Sequence, residues 1–361
     1  MAELLERLEA ASVVVCCGPG GVGKTTVSAT IAAELARRGR RACVLTVDPA
    51  RRLADALGLD AVGNTPHRVD LEVAGTLDAV MLDAQGTFDD LVARYARDPA
   101  QRQRIAENRL YRSMTSSLGG TQEYMAMEKL YELASSGDYD VVVVDTPPTR
   151  HALDLLDAPR RLTNLLRNRV FRAMLLPTRA YLKAVGVATS ALLRTISVVA
   201  GAELVADTVD FFQAFTGMEE GFADRADAVR ALLAEPTTCF VVVTSPRADA
   251  IAEASFFAEK LGEAGLSTTG GVVNRVQASF GEVPELDGEL GALAPHLENL
   301  RRLEHQALAD ADAVQSLRRA LQPAPVVGLT LAGGAVNDLE ALELLGAQLS
   351  GASTSPAEHH G

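Results

Sequence analysis

The chain has 361 residues, 48% of them hydrophobic and 22% charged, which is a globular composition sufficient for one large or two ordinary domains. A net charge of −13 argues against a general nucleic-acid binder, which needs a basic face, though not against a local basic patch. Every long apolar stretch is broken by charge within about ten residues, so none qualifies as a membrane span.

The N-terminal Met1–Ala11 carries Glu3, Glu6 and Glu9 and lacks the pattern of a secretory signal. Ser12–Cys17 (SVVVCC) then reads as a buried strand and Thr25–Arg38 as a helix. Further apolar runs follow at Arg41–Asp48, Leu77–Asp83, Asp140–Asp145, Thr238–Ser245, Gly270–Asn274 and Pro325–Leu329. Near-continuous Val/Ile/Leu runs mark strands covered on both faces, and their alternation with helices predicts an α/β fold with a doubly wound, mostly parallel sheet. Two stretches, about 84–137 and 159–236, lack such runs and show helical periodicity, as in Phe88, Leu91, Val92 and Tyr95. They hold five of the seven Met and six of the ten Phe, and are expected to form one inserted helical subdomain. Residues 1–350 are thus expected to form a single domain with helical insertions, and 351–361 a disordered tail. The four cysteines (Cys16, Cys17, Cys43 and Cys239) sit in or beside the apolar runs and are spaced neither as a metal cluster nor as a disulfide framework. That suits buried hydrophobes in a reducing cytoplasm.

Gly18–Thr25 (GPGGVGKT) fits the phosphate-loop pattern G-x-x-x-x-G-K-[ST], the Walker A motif, between a predicted strand and a predicted helix. Its glycines let successive backbone amides approach phosphate oxygens, and the helix N-terminus adds positive dipole character. The amides of Gly20, Gly21, Val22, Gly23, Lys24, Thr25 and Thr26 are the candidate cradle. Lys24 would neutralise the β- and γ-phosphates, and Thr25 would ligate Mg²⁺. Asp145 ends a buried strand, where open α/β sheets place ligands, and reads either as an Mg²⁺-side carboxylate or as a turn cap. Asp48 lies just past the second strand and reads either as the residue that orients the attacking water or as a cap for a helix starting near Arg52. Asn274 ends the GGVVN run; its amide suits a purine edge, but Asn is also a common turn residue.

Together these residues resemble the ArsA-type ATPases, a family of deviant phosphate-loop NTPases that includes the arsenite-pump and tail-anchored-protein targeting ATPases. The resemblance lies in Gly20–Thr26 (GGVGKTT), Asp48–Gly58 (DPARRLADALG) as first switch, Asp145–Pro159 (DTPPTRHALDLLDAP) as second switch, Val272–Asn274, and Pro325–Leu329. It implies a cytoplasmic, dimeric ATPase using ATP and Mg²⁺, with Asp48 positioning water, Asp145 on the metal side and Asn274 at the adenine. Hydrolysis would couple to binding and release of a hydrophobic or small-molecule client.

Three departures qualify the resemblance. Pro19 stands where the family carries a signature lysine that reaches the partner's phosphates, so either a neighbouring Arg substitutes or the chain forms an uneven pair, with a heterodimer with a related chain favoured. Arg51, Arg52 and Arg150 replace residues that are usually small or histidine, and read either as transition-state cations or as surface residues. The Cys-x-x-Cys zinc site of the targeting branch is missing. In the helical region, Leu162, Leu165, Leu166, Val170, Met174 and Leu175 form one apolar stripe; Phe211, Phe212, Phe215, Met218 and Phe222 form another. Each reads as core, client groove or dimer interface. Six arginines within Arg160–Arg179 read as a solvated face or as a peripheral membrane contact. A transport-coupled or metabolite-sensing ATPase working with a membrane partner, and a non-hydrolytic regulatory subunit, are the competing functions; a metabolic kinase on the same loop is a more distant one.

Overall fold

The computed structural model describes residues 2–48, 52–59, 62–108, 121–147, 214–281, 293–331 and 339–351, with Asn164 and Asp210. The chain divides into two compact units. One comprises Met1–Met81, Glu132–Leu153 and Ala234–Gly361; the other comprises Leu82–Tyr131 and Asp154–Leu233.

The first unit is built on eight strands: β1 (Val13–Cys17), β2 (Arg41–Thr46), β3 (His67–Val69), β4 (Thr76–Met81), β5 (Val141–Asp145), β6 (Thr238–Thr244), β7 (Thr268–Val276) and β8 (Val326–Thr330). They lie in the order β3-β4-β2-β5-β1-β6-β7-β8. All neighbours pair in parallel except β3 and β4. The expected sheet is therefore present. β3 is an addition, because His67 and Arg68 are exposed and give its short run no apolar signal. The central strands β1, β5 and β6 are buried at every position, as Val-rich runs covered on both faces require.

The covering helices are α1 (Ala2–Leu8), α2 (Lys24–Arg37), α3 (Arg52–Ala56), α8 (Ala248–Glu263), α9 (Ala294–Ala320) and α10 (Leu339–Ser350). Consecutive glycines of β7 show how closely they approach the two faces. A Cβ on Gly270 would fall 2.4 Å from Leu4 of α1, and one on Gly271 would fall 2.6 Å from Leu321, just past α9. Helix α2 is buried nearly all round, between the sheet and α10, with Ala29, Ala32, Ala33 and Ala36 permitting the close packing. The connection leaving β1 runs to β2 on one side, and the connection leaving its neighbour β5 runs the opposite way, past β1 to β6. The crevice this opens at the strands' C-terminal ends is where such sheets bind ligands.

The second unit contains α4 (Ala84–Tyr95), α5 (Pro99–Glu107), most of α6 (Thr121–Ser135) and α7 (Glu219–Leu233). Asp83 caps α4 by accepting from the Gly86 amide at 3.0 Å, and Asp98 caps α5 by accepting from the Gln101 amide at 2.7 Å. The apolar stripe of α4 packs as core: Phe88 lies 6.1 Å from Phe215 and 6.2 Å from Phe222, and Tyr95 lies 5.5 Å from Phe222, between ring centroids. Met218 and Phe222 are buried, so this part of the second predicted stripe is core. Phe211, Phe212, the 162–175 stripe and the arginine-rich 160–179 stretch lie outside the described residues, as do Arg51 and Arg150. Beside the aromatic cluster, Arg225 donates to buried Glu128 through Nε at 2.7 Å and forms an ion pair with it, Nη2 lying 2.6 Å from the same carboxylate oxygen, with its guanidinium 4.0 Å from the Tyr131 ring centroid. Among the described residues, no helix is long and apolar enough to cross a membrane.

Candidate active site

The site forms where the loop after β1 meets the ends of its neighbours. Gly18 has a φ of +146°, and a Cβ there would lie 1.9 Å from the Val243 carbonyl oxygen of β6. Only glycine lets the loop leave the sheet at that point. Gly21 and Gly23 are also left-handed, with φ of +74° and +91°. Gly23 is the N-cap of α2 and supplies no side-chain cap, so the first-turn amides of this 14-residue helix stay available to an anion.

Lys24 is buried, and its ammonium donates to the Gly18 carbonyl at 3.0 Å and the Pro19 carbonyl at 2.8 Å. Burial lowers its pKa, while Asp145 and the other nearby acids, Glu253 and Asp48 among them, oppose that shift. Pro19 contributes a carbonyl to the lysine but has no amide to offer a phosphate.

The strand register brings Asp145 level with Cys16 of β1 and Thr46 of β2. Its Oδ2 accepts from the Thr25 hydroxyl at 2.6 Å and the Thr46 hydroxyl at 2.9 Å. Its Oδ1 is buried without a hydrogen-bond partner. Burial pushes the Asp145 pKa up, against the lowering effects of the two hydroxyls and Lys24. Such an orphaned oxygen, beside a threonine hydroxyl at the start of α2, fits a hydrated divalent cation. Mg²⁺ would be held by Thr25 and, through water, by Asp145; it would supply charge that polarises phosphate oxygens.

Asp48 follows β2 on the same rim. Its amide donates to the Thr46 hydroxyl at 3.3 Å, and Arg52 donates to its carboxylate at 3.2 Å. The preceding Val47 amide donates to the Asp145 carbonyl at 3.2 Å, so the two aspartates sit on adjacent strand ends. Asn274 lies across the loop, on the β7 side. Its Nδ2 donates to the Val22 carbonyl at 2.9 Å, and its Oδ1 accepts from the Arg275 amide at 2.9 Å. On the same side a cleft of about 390 Å³ opens between Gly20–Val22 and Arg275, Gln277 and Asp310.

The structure thus brings together Gly20, Gly21, Val22, Gly23, Lys24, Thr25, Asp48, Asp145 and Asn274, with Thr26 in the first turn of α2. Sequence reasoning missed Thr46 and Arg275, whose Nη1 donates to the Gly21 carbonyl at 3.1 Å from a backbone with a φ of +63°. Thr46 had a visible signal, a polar residue closing a buried apolar run. Arg275 had none, because nothing in an Asn-Arg pair announces a left-handed backbone.

A glycine-built loop between a buried parallel strand and an uncapped helix, faced by a strand-end carboxylate with a free oxygen, defines a phosphate-loop NTPase. Residues 11–350 match the anion-transporting ATPase (ArsA) family, and the chain belongs to it. It is 33% identical over 150 residues to a protein named ATPase get3 from Aspergillus terreus. That similarity spans 41% of this chain and 43% of the relative's length.

Proposed function

We propose that the chain binds and hydrolyses Mg-ATP and that loss of the γ-phosphate switches its conformation. The observation that carries this is Asp145 Oδ1, a buried carboxylate oxygen without a partner, next to Thr25 at the uncapped start of α2. The amides of Gly20–Thr26 and the Lys24 ammonium hold the phosphates. Thr25 and Asp145 hold the metal. Asp48, about one-third exposed at the same rim, orients the attacking water. The cleft beside Gly20–Val22 accepts the nucleoside.

Family membership supports a dimer in the cytoplasm that grips and releases a client. Pro19, which supplies no cross-subunit cation, favours pairing with a related chain that carries the family lysine. A client that is a hydrophobic helix, or a small solute, would engage the helical unit. The test is turnover by the purified chain with and without Mg²⁺, beside Asp48→Asn. The expected result is Mg-dependent hydrolysis, lost in the variant while ATP affinity is kept. Equal turnover by both proteins would remove Asp48 from the reaction. An ATP-driven dimer of this chain alone with full hydrolysis would remove the heterodimer.

A further inference from the structure

Asp48 and Arg52 form an ion pair on the rim of the site. Arg52 Nη1 donates to Asp48 Oδ2 at 3.2 Å, with the arginine side chain 67% exposed and the aspartate 31% exposed. An exposed pair of this kind contributes little to stability. Its place gives it weight. Asp48 stands on the strand end beside Asp145, since the preceding Val47 amide donates to the Asp145 carbonyl. It is also near enough to Lys24 for its charge to oppose the lowering of the lysine's pKa by burial. The carboxylate thus has a buried cation, Lys24, within electrostatic reach and an exposed cation, Arg52, in contact.

A bound triphosphate changes that balance. In the proposed reaction the Lys24 ammonium serves phosphate oxygens, and the γ-phosphate brings more negative charge towards Asp48. A carboxylate needed at that phosphate is then repelled by it. Arg52 still pairs with Asp48 and offsets the repulsion. Its guanidinium stays charged at any working pH and presents a rigid fork of donors to the carboxylate. Helix α3 gives no reason of its own for a cation there. Arg52 is its first residue, at the end where the peptide dipole favours acids, and the helix buries Leu53, Ala54 and Ala56 instead.

From this we infer that Arg52 is a positioning residue for hydrolysis, holding the Asp48 carboxylate in place against the charge of the γ-phosphate. It acts through Asp48 and not on the nucleotide, so it serves kcat and leaves ATP affinity alone. The inference rests on Asp48 orienting the attacking water.

Steady-state turnover and Mg-ATP calorimetry on the full chain test it, using Arg52→Ala, Arg52→Gln and Arg52→Lys beside wild type and Asp48→Asn. The side chain is exposed, so all three Arg52 variants should melt within a few degrees of wild type. The expected result is a kcat lower by about tenfold in Arg52→Ala and Arg52→Gln, with KM and ATP affinity within about twofold of wild type. Arg52→Lys, which keeps the charge, should recover most of the rate. Added KCl should narrow the gap between wild type and Arg52→Ala, because salt screens an exposed pair. An unchanged kcat in Arg52→Ala would overturn the inference. So would an equal loss in Arg52→Lys, or a loss of ATP affinity as large as the loss of rate. Wild-type turnover by Asp48→Asn would remove Asp48 from the reaction, and the role of Arg52 with it. A wild type without Mg-dependent turnover would remove the hydrolysis itself.

Discussion

Replacing Asp145 with Asn should leave the nucleotide-free protein as stable as before while removing the stabilisation that Mg-ATP confers. The amide keeps the shape, and its Oδ1 can still accept from Thr25 and Thr46. Those bonds change from charge-assisted to neutral, a loss of about 1 kcal/mol in sum. The new Nδ2 falls where Asp145 Oδ1 already lacks a partner, so one unsatisfied group replaces another. Against these losses, a fully buried charge is removed. Burial raises the Asp145 pKa despite two hydroxyl donors and Lys24, so desolvation outweighs its favourable contacts. A carboxyl with a folded pKa above its unfolded one costs stability at pH above the folded value, and the cost vanishes below the unfolded value. At neutral pH the two effects oppose each other, and the nucleotide-free variant should match wild type to within about 2 kcal/mol. Binding behaves oppositely. Mg-ATP at a hundred times its dissociation constant adds about 2.7 kcal/mol, and a hundredfold weaker site would keep only about 0.4 kcal/mol. The difference corresponds to roughly 3 °C of ligand-dependent melting shift for a protein of this size. Thermal unfolding with and without Mg-ATP, at one protein concentration, reads both halves. A variant that loses more than about 2 kcal/mol without nucleotide, or one that keeps the full Mg-ATP shift, would refute the reasoning.

Three further outcomes follow from particular contacts. Gly23→Ala places a Cβ in a left-handed backbone and 2.3 Å from Asn274 Nδ2, so it should cost about 2 kcal/mol in urea unfolding; a cost below about 0.5 kcal/mol would contradict that geometry. Glu128→Gln leaves the largely buried Arg225 guanidinium without its anion in the helical unit, and should lower stability by about 3 kcal/mol; an unchanged denaturation midpoint would show that the pair is not isolated from water. Gly18→Ala cannot avoid the Val243 carbonyl and should abolish nucleotide binding even where the chain still folds; wild-type affinity measured by calorimetry would refute the close approach.

The sheet was legible because its strands are buried on both faces. VVVCC, VVVVD and TCFVVVT carry their burial in their composition, and the structure buries every residue of all three. β3 was not legible, since two of its three side chains are exposed and only pairing with β4 makes it a strand. The loop was legible because close backbone approach to an anion demands glycine, and Gly18, Gly21 and Gly23 all take positive φ. Asp145 was legible as a polar residue ending an apolar run, and Thr46 obeyed the same rule without being singled out. The contacts of Asn274 and Arg275 with the Val22 and Gly21 carbonyls were not legible. They depend on Arg275 adopting an unusual φ and on two carbonyls 252 and 254 positions earlier in the chain, a pairing that only the fold creates. In the helical unit, the period of Phe88, Leu91, Val92 and Tyr95 announced a buried stripe but could not name its partners, because apolar spacing is the same for core and for groove.

The account stands on the loop and its lysine holding a triphosphate. Calorimetric titration of Mg-ATP into wild type and Lys24→Ala measures that directly. The predicted result is saturable binding to the wild type and an affinity lower by about a hundredfold in the variant, since a buried ammonium at the phosphates is replaced by a methyl group. Equal affinities for the two proteins would contradict it.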